Sequence, residues 1–152
     1  MKKLHERQST STVFIYTKTY PYKILLVFHK KFNAYMAPGG HQEYGENPYD
    51  TAIREVIEET GIDLIPYMQK PLVVDVQAKS LPLPTYIFEE KIELPDHPVH
   101  YHVDSIFVVG LPKEIPSSLA TWYTLEETEA LTMFENVRMV VQYVLKEKDT
   151  PD

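Results

Sequence analysis

The sequence contains no cysteine, which excludes disulfide bonds and thiolate metal sites. Any bound metal ion must therefore be held by carboxylate, imidazole or carbonyl groups. Long apolar runs are also missing: the run at residues 24–28 has the length of a strand, whereas a membrane-spanning helix needs about 20 such residues. No apolar segment follows the two early lysines, so no signal peptide is predicted. These absences favour a cytoplasmic location and no membrane partner.

Positive charge is scarce as well. The chain has 15 Lys and Arg against 22 Asp and Glu, which gives a formal net charge of -7. Nucleic acids are bound by clustered basic side chains, so a nucleic-acid partner is not expected. An acidic protein can still act on a phosphate-bearing small molecule when divalent cations bridge the two negative partners.

The chain shows no repeat, low-complexity tract or glycine/serine linker, and 152 residues is the size of one domain. We therefore predict a single domain over residues 1–152. Extended segments are predicted at residues 12–16, 23–29, 35–36, 72–76, 86–92 and 101–109, and helices at residues 48–60 and 135–146. The Pro38-Gly39-Gly40 segment is predicted to break the chain sharply. Because these elements do not alternate regularly, they indicate an α+β fold or a mixed-sheet sandwich.

The predicted helix at residues 48–60 has clear ends. Asn47 suits the N-cap, Pro48 suits the first helical position, and Gly61 suits a left-handed C-cap. A helical wheel places the apolar side chains together on one side, those of Ala52, Ile53, Val56 and Ile57. One side of this helix is therefore expected to pack into a core.

The opposite side of the same helix carries Glu55, Glu58 and Glu59. Like charges at this spacing destabilise a helix by a few tenths of a kcal/mol per pair, and a helix C-terminus disfavours anions. A divalent cation would offset this repulsion, since Mg²⁺ prefers oxygen ligands and leaves room for substrate phosphates. The helix by itself is compatible with either a solvated acidic surface or metal-assisted hydrolysis of a phosphoanhydride.

The residues around this helix follow one continuous pattern, G-x5-E-x7-R-E-U-x-E-E-x-G-U, where U is apolar. The matching residues are Gly40, Glu46, Arg54, Glu55, Val56, Glu58, Glu59, Gly61 and Ile62. The pattern resembles the Nudix box at every defined position, and the chain is identified as a member of the Nudix hydrolase superfamily. The resemblance implies an α+β fold, an α/β/α sandwich around a mixed sheet. It also implies hydrolysis of a nucleoside diphosphate linked to another moiety.

The resemblance assigns roles to individual residues. It implies that Mg²⁺ or Mn²⁺ is bound by three carboxylates and one backbone carbonyl, those of Glu55, Glu58, Glu59 and Gly40. Arg54 and Glu46 are implied to form an ion pair that orients the carboxylates, so both are candidate catalytic residues beside Glu55 and Glu58. Glu58 is the preferred base or a metal ligand adjacent to the base. Because the family often uses a further acid outside the box, Glu114 is a candidate by its position alone.

A second polar group lies outside the box. His100, His102 and Asp104 alternate along the predicted strand at residues 101–109, which places them on one face of the sheet. They are candidate substrate-binding residues, in contact with a phosphate or a base. An independent metal site and a plain solvent-facing surface are the alternatives.

The predicted function is that of a metal-dependent pyrophosphohydrolase, which cleaves a phosphoanhydride by water attack on phosphorus. Its partner would be a small nucleoside diphosphate derivative: a nucleoside triphosphate, a nucleotide sugar or a dinucleoside polyphosphate. The alternative is a non-catalytic Nudix-like domain that senses a nucleotide or another ligand. The intact box favours the enzyme. The resemblance is also compatible with a homodimer.

Overall fold

The computed structural model describes residues 5–70, 72 and 74–149. In this part of the chain seven strands are present: β1 (Arg7–Thr17), β2 (Lys23–His29), β3 (Ala34–Met36), β4 (Gly39–His41), β5 (Tyr86–Ile92), β6 (His100–Leu111) and β7 (Thr121–Thr124). The helices of the same residues are α1 (Pro48–Thr60), α2 (Leu125–Thr128) and α3 (Glu135–Asp149), with one 3-10 turn at Ile65–Tyr67. None of these helices is long and apolar enough to cross a membrane.

The sheet is mixed because its two longest strands run parallel. β1 and β6 pair from Arg7 with Tyr101 to Thr17 with Leu111. The strand order is β3-β2-β1-β6-β5, with β4 beside the first half of β1 and β7 beside β2. These other pairings are antiparallel. The predicted α+β fold with a mixed sheet is therefore confirmed.

Each face of the sheet is covered by one long helix. Val13 and Ile15 of β1 point to the side of α1, whereas Phe14 between them points to the side of α3. The α3 core includes the stripe Val137, Val140, Val141 and Val144. Burying an aliphatic side chain of this size stabilises the fold by about 1.5–3 kcal/mol. The two helices and the sheet between them form the expected three layers.

Helix α1 begins and ends where the sequence predicts. The Asn47 side chain accepts a hydrogen bond from the Asp50 amide at 2.8 Å, and the Asp50 carboxylate accepts one from the Asn47 amide at 3.1 Å. Gly61 adopts φ 79 and its amide donates to the Ile57 carbonyl. Ile57 itself was predicted on the buried side but is 45% exposed. The buried side of the helix is shifted from the predicted one, since it includes Thr51 and Thr60 and leaves out Ile57.

Two local predictions are wrong. Residues 72–76 were predicted to be extended, but the amides of Val74 and Asp75 both donate to the Ala78 carbonyl, which closes a turn; Val73 lies outside the described residues. Strand propensity is expressed only where a neighbouring strand offers pairing. The Pro38-Gly39-Gly40 segment was predicted to break the chain, yet Gly39 begins strand β4. A Cβ at Gly39 would lie 2.9 Å from Thr12 Cα, so only glycine allows this close pairing.

Candidate active site

Arg54 is the centre of the box. Its Nε and Nη2 atoms donate to both carboxylate oxygens of Glu46, at 2.6 and 2.9 Å. Its Nη1 atom donates to Glu55 at 2.8 Å and to Glu58 at 3.3 Å, and Nη2 also reaches the His41 carbonyl at 2.9 Å. The structure thus places Arg54 and Glu46 in the bidentate pair that the resemblance implied.

Glu46 fastens the loop between β4 and α1. Its carboxylate accepts a hydrogen bond from the Glu43 amide at 2.8 Å and another from the Thr51 hydroxyl at 3.1 Å. The hydrogen bonds from Arg54 are the largest of the effects that lower the pKa of Glu46 to about 2. Glu46 is therefore a permanently ionised support for Arg54, and it acts on the other carboxylates through the guanidinium.

The next two box carboxylates, Glu55 and Glu59, are in contact with each other. Burial, the negative charge of Glu55 and a hydrogen bond with Glu55 together raise the pKa of Glu59 to about 7. A hydrogen bond from the Gly39 backbone opposes that shift. Glu55 packs directly on Gly40, where a Cβ would overlap its carboxylate. The close packing of these two acids leaves this part of the box short of positive charge.

This donor set fits a hard divalent cation. Every available donor is an oxygen, which suits Mg²⁺ and Mn²⁺, and a cation would relieve the repulsion that raises the pKa of Glu59. Glu58 lies apart, with a side chain that is 56% exposed beside Arg54. Over the described residues, no three His, Asp or Glu side chains converge into a complete metal site. The structure therefore offers two adjacent ligands and a third on the same helix.

The backbone of Gly40 faces the sheet. The Val13 amide donates a hydrogen bond to the Pro38 carbonyl, and the Gln42 amide donates one to the Ser9 carbonyl. Gly40 pairs with Ser11 midway between these two hydrogen bonds. Because hydrogen-bonded pairs alternate in an antiparallel ladder, the Gly40 amide and carbonyl point towards β1. The backbone groups of Gly39 and of His41 point outward on the side of α1, where they reach Glu59 and Arg54.

The residues His100, His102 and Asp104 lie on the face of the sheet that α3 covers. Asp104 is in register with Thr10 and two residues before Ile106 of the α3 core. Polar side chains of four neighbouring strands meet here, and we call this group the polar face: Thr10, Thr12, His41, Glu90, His102 and Asp104. Its members share one surface because strand residues two apart point the same way.

Asp104 is a buried acid. It is 4% exposed, so the solvent-facing interpretation does not hold for it. Both of its carboxylate oxygens accept from the Thr12 hydroxyl, at 3.0 and 2.8 Å. Glu90 also hydrogen-bonds to it; burial and the charge of Asp104 raise the pKa of Glu90 to about 8. Burial likewise raises the pKa of Asp104. At neutral pH the two carboxyl groups therefore share one proton.

His102 is uncharged at neutral pH, because burial and two neighbouring histidines lower its pKa to about 4. Its ring centroid is 4.8 Å from that of His41 and 5.2 Å from that of His100. The buried Nε2 atom of His102 has no hydrogen-bond partner, and neither does the buried hydroxyl of Thr10. Thr10 lies close enough to lower the pKa of Asp104 without meeting ordinary hydrogen-bond geometry.

Sequence reasoning missed several members of this site. Glu90 had a usable signal: it occupies an inward position of β5, in the series that begins with Tyr86 and Phe88. His41 and the threonines carried no such signal. Glu114, the candidate extra acid, pairs with Lys23 at 2.6 Å and its side chain is 44% exposed. The structure brings it to Lys23, and its described ion pair does not involve the box.

Comparisons with known proteins agree with this architecture. A model of the NUDIX domain matches residues 6–142. The chain is 33% identical over 117 residues to a Lactococcus lactis subsp. cremoris protein named "Probable DHNTP pyrophosphohydrolase". That match covers 74% of this chain and 62% of the relative, which is less than two thirds of its length.

Solved structures share the fold along almost the whole chain. A NUDIX-family hydrolase from Clostridium perfringens superimposes with a TM-score of 0.66 at 26% identity, covering 93% of this chain and 98% of that one. The E. coli dihydroneopterin triphosphate pyrophosphohydrolase superimposes with a TM-score of 0.67 at 20% identity, covering 95% and 99%. The family match includes both the box helix and the strands of the polar face. The chain therefore belongs to the Nudix hydrolase family.

Proposed function

We propose that this protein is a divalent-metal-dependent pyrophosphohydrolase, which uses water to split a phosphoanhydride in a nucleoside triphosphate or a related molecule. For a triphosphate the products are the monophosphate and pyrophosphate. The observation that carries the proposal is the contact between Glu55 and Glu59, two acids crowded on one helix beside a single guanidinium. Such crowding of like charges destabilises the helix by itself, and a bound divalent cation would offset it with the oxygen ligands that it prefers.

The box residues divide the work between them. Glu55, Glu58 and Glu59 would hold Mg²⁺ or Mn²⁺. Because the Gly40 carbonyl points towards β1 and not towards the carboxylates, the outward carbonyl of Gly39 or His41 would complete the oxygen set. When bound, the metal supplies Lewis-acid polarisation and neutralises charge on the phosphates. The Glu58 side chain is 56% exposed, against 14% for Glu55, so water reaches it, and we assign to it the proton taken from the attacking water.

Arg54 and Glu46 act by positioning. The bidentate pair fixes the guanidinium, and the guanidinium then orients the Glu55 carboxylate at 2.8 Å. A displaced carboxylate would bind metal poorly even if its chemistry were intact, since supporting contacts of this kind commonly change activity by about 10–100-fold. We therefore class both residues as positioning residues of the box.

Within the substrate class, dihydroneopterin triphosphate is the first compound to test. The E. coli structure named for this activity has the same fold, and the L. lactis relative has a matching name. Nucleoside triphosphates, nucleotide sugars and dinucleoside polyphosphates complete the panel. We also propose one catalytic domain over residues 1–152, a cytoplasmic location, and a homodimer as an assembly to be checked by light scattering.

The test is a phosphate- and pyrophosphate-release screen of the purified protein with Mg²⁺, Mn²⁺ or EDTA. Turnover of one substrate class is expected with either metal and none with EDTA. Glu58→Gln and Glu59→Gln should each lower kcat by at least about 100-fold while leaving the melting temperature within a few degrees.

Glu126→Gln is the matched control, because Glu126 is an exposed glutamate of α2. It should retain normal turnover. Metal-dependent turnover that persists in both box variants would contradict the site assignment. If no compound is hydrolysed but one raises the melting temperature of the wild type, the ligand-sensing alternative replaces the enzyme.

A further inference from the structure

The two histidines of strand β6 have the spacing of a pair that shares one metal ion. His100 and His102 lie two residues apart on one face of the strand, and their ring centroids are 5.2 Å apart. A metal ion bound to an imidazole nitrogen lies about 3.2 Å from the ring centroid, since the bond itself is about 2.0–2.1 Å long. Two rings that bind one ion at a tetrahedral angle therefore have centroids about 5 Å apart. The observed spacing matches this arrangement.

Each of the two rings has a nitrogen atom that is suited to a metal ion. The Nδ1 atom of His100 lies 3.0 Å from the Pro98 carbonyl, which can only accept a hydrogen bond. The proton of His100 is therefore on Nδ1 and its lone pair is on Nε2, as in metal-binding histidines held by a backbone carbonyl. The Nε2 atom of His102 is buried and has no hydrogen-bond partner. A bound ion would give that atom a partner and remove the cost of burying it alone.

The charges around this pair favour a cation over an anion. Glu90 lies in register with His102 on the neighbouring strand β5, and it shares one proton with Asp104, so the two acids keep one negative charge. His102 is itself uncharged at neutral pH. Lys31 opposes a cation, but its effect is the smallest of those that lower the pKa of His102. The pair therefore suits a positive ligand that accepts nitrogen lone pairs.

We propose that His100 and His102 bind one divalent transition-metal ion, such as Ni²⁺, Co²⁺ or Zn²⁺, through their Nε2 atoms. This is the independent metal site that the alternation of the two histidines allowed. Imidazole suits these ions, whereas Mg²⁺ prefers oxygen, so the histidine pair and the box select different metals.

The histidine pair supplies two ligands, and waters complete the coordination. Over the residues that the structure describes, no three His, Asp or Glu side chains converge on one point. The next ring, that of His41, has its Nε2 atom 2.8 Å from the side-chain oxygen of Gln8. Solvent reaches the pair because His100 is half-buried and lines a cavity of about 440 Å³ together with His97 and Val99.

Calorimetric titration of the untagged full chain with Ni²⁺ tests this site, with excess Mg²⁺ present to occupy the box. One equivalent of Ni²⁺ should bind. His100→Asn and His102→Asn should each weaken this binding by at least about tenfold, because a single imidazole cannot chelate the ion. The paramagnetic ion should also broaden the proton NMR signals of these two rings before those of the other histidines. If His102→Asn fails to fold, His100→Asn decides the question, since its ring is only half-buried.

His29→Asn is the matched control, because His29 is a histidine of β2 whose ring contacts Phe32. This variant and Glu59→Gln, which removes an acid of the box, should each keep the Ni²⁺ affinity within about twofold. Loss of binding in Glu59→Gln would assign the ion to the box and overturn the inference. No binding to the wild type, or binding that persists unchanged in His100→Asn, would also overturn it. The titrations do not depend on hydrolysis, so this inference and the proposed function fail separately.

Discussion

The two faces of the sheet stabilise their carboxyl groups in opposite ways. On the side of α1, Glu46 is compensated by the guanidinium of Arg54, and its pKa is lowered to about 2. On the side of α3, Glu90 is compensated by a shared proton, and its pKa is raised to about 8. The first acid is ionised at every working pH, whereas the second is neutral or shares its charge. The difference lies in the neighbours, since both residues are glutamates.

This contrast bears on what each face can bind. An ionised, cation-compensated cluster is ready to exchange charge with a metal ion and with phosphate. A buried pair of acids that shares one proton is suited to hydrogen bonding with a neutral group. It offers acceptors, and its single negative charge attracts a cation less strongly than two would. The two groups of acids therefore differ in charge state, and strand β4 lies between them.

Loss of the Arg54 guanidinium should have the largest effect on both stability and activity. Arg54→Met leaves Glu46 and Glu55 without their partner, so we expect a loss of about 2–4 kcal/mol in the free energy of unfolding and a fall in kcat/KM of at least about 100-fold. Urea denaturation and steady-state kinetics measure the two. Adding Glu46→Gln to Arg54→Met should restore part of the stability, since the stranded charge is removed.

Arg7→Met is the control for that substitution. Its ion pair with Glu89 involves side chains that are about half exposed, and such pairs contribute at most about 1 kcal/mol. If Arg54→Met and Arg7→Met destabilised the protein equally, Arg54 would be an ordinary surface residue. The conclusion that Arg54 compensates the acids on the side of α1 would then be wrong.

Removal of a hydroxyl on the other face should have a smaller effect. Thr12→Val keeps the shape of the side chain but deletes the donor to both oxygens of Asp104. A buried acid that loses this partner should cost about 1–3 kcal/mol, or roughly 2–4 °C in melting temperature for each kcal/mol. Thr121→Val is the control, because Thr121 is an exposed residue of β7. Equal melting temperatures for Thr12→Val and the wild type would contradict the hydrogen bond.

A pH titration of stability distinguishes the two faces by sign. Glu90 has a pKa of about 8 in the folded protein, above its ordinary value of 4.5. Between these values the folded state binds a proton that the unfolded state has released, so stability falls as the pH rises. Asp104 on β6 and Asn136 on α3 face Glu90, and His102 stays neutral over this range.

Glu90→Gln removes that titration. Its melting temperature relative to the wild type should rise by about 4 °C or more between pH 5 and pH 8. Glu46→Gln should behave in the opposite sense. The low pKa of Glu46 stabilises the folded state above pH 4.5, and this stabilisation is lost as the pH falls towards 2. The melting temperature of this variant should therefore depend less on pH in the acid range. Parallel curves for Glu90→Gln and the wild type would show that the pair does not hold a proton.

The side of α1 was predictable because its information is local. Asn47, Pro48 and Gly61 mark the ends of α1 by rules that act within one turn. The spacing from Glu46 to Arg54 also lies within one loop and one helix, so a pattern in the sequence is enough to bring them together. Ile57 shows the limit, since a helical wheel cannot tell how wide a stripe the neighbouring strands will cover.

The polar face was only half predictable because it is assembled across strands. His102 and Asp104 share a strand, and their alternation indicated a common face. Glu90 and Thr12 come from other strands. Their position opposite Asp104 depends on the register of the paired strands, because a shift of one residue would turn every side chain of a strand to the other face. The parallel pairing that places Thr10 beside Asp104 has no signature in either segment alone.

The smallest effect is expected at Glu114, the acid that its position alone suggested. Glu114 pairs with Lys23 on the surface, and its side chain is 44% exposed. Exposed pairs contribute at most about 1 kcal/mol, so Glu114→Gln should leave kcat/KM within about twofold and the melting temperature within a few degrees. Lys23→Met should match it, because both substitutions break the same contact. If Glu114→Gln lowered kcat by about 100-fold while Lys23→Met did not, the acid would act in the reaction itself. The loop that carries it would then have to reach the box during turnover.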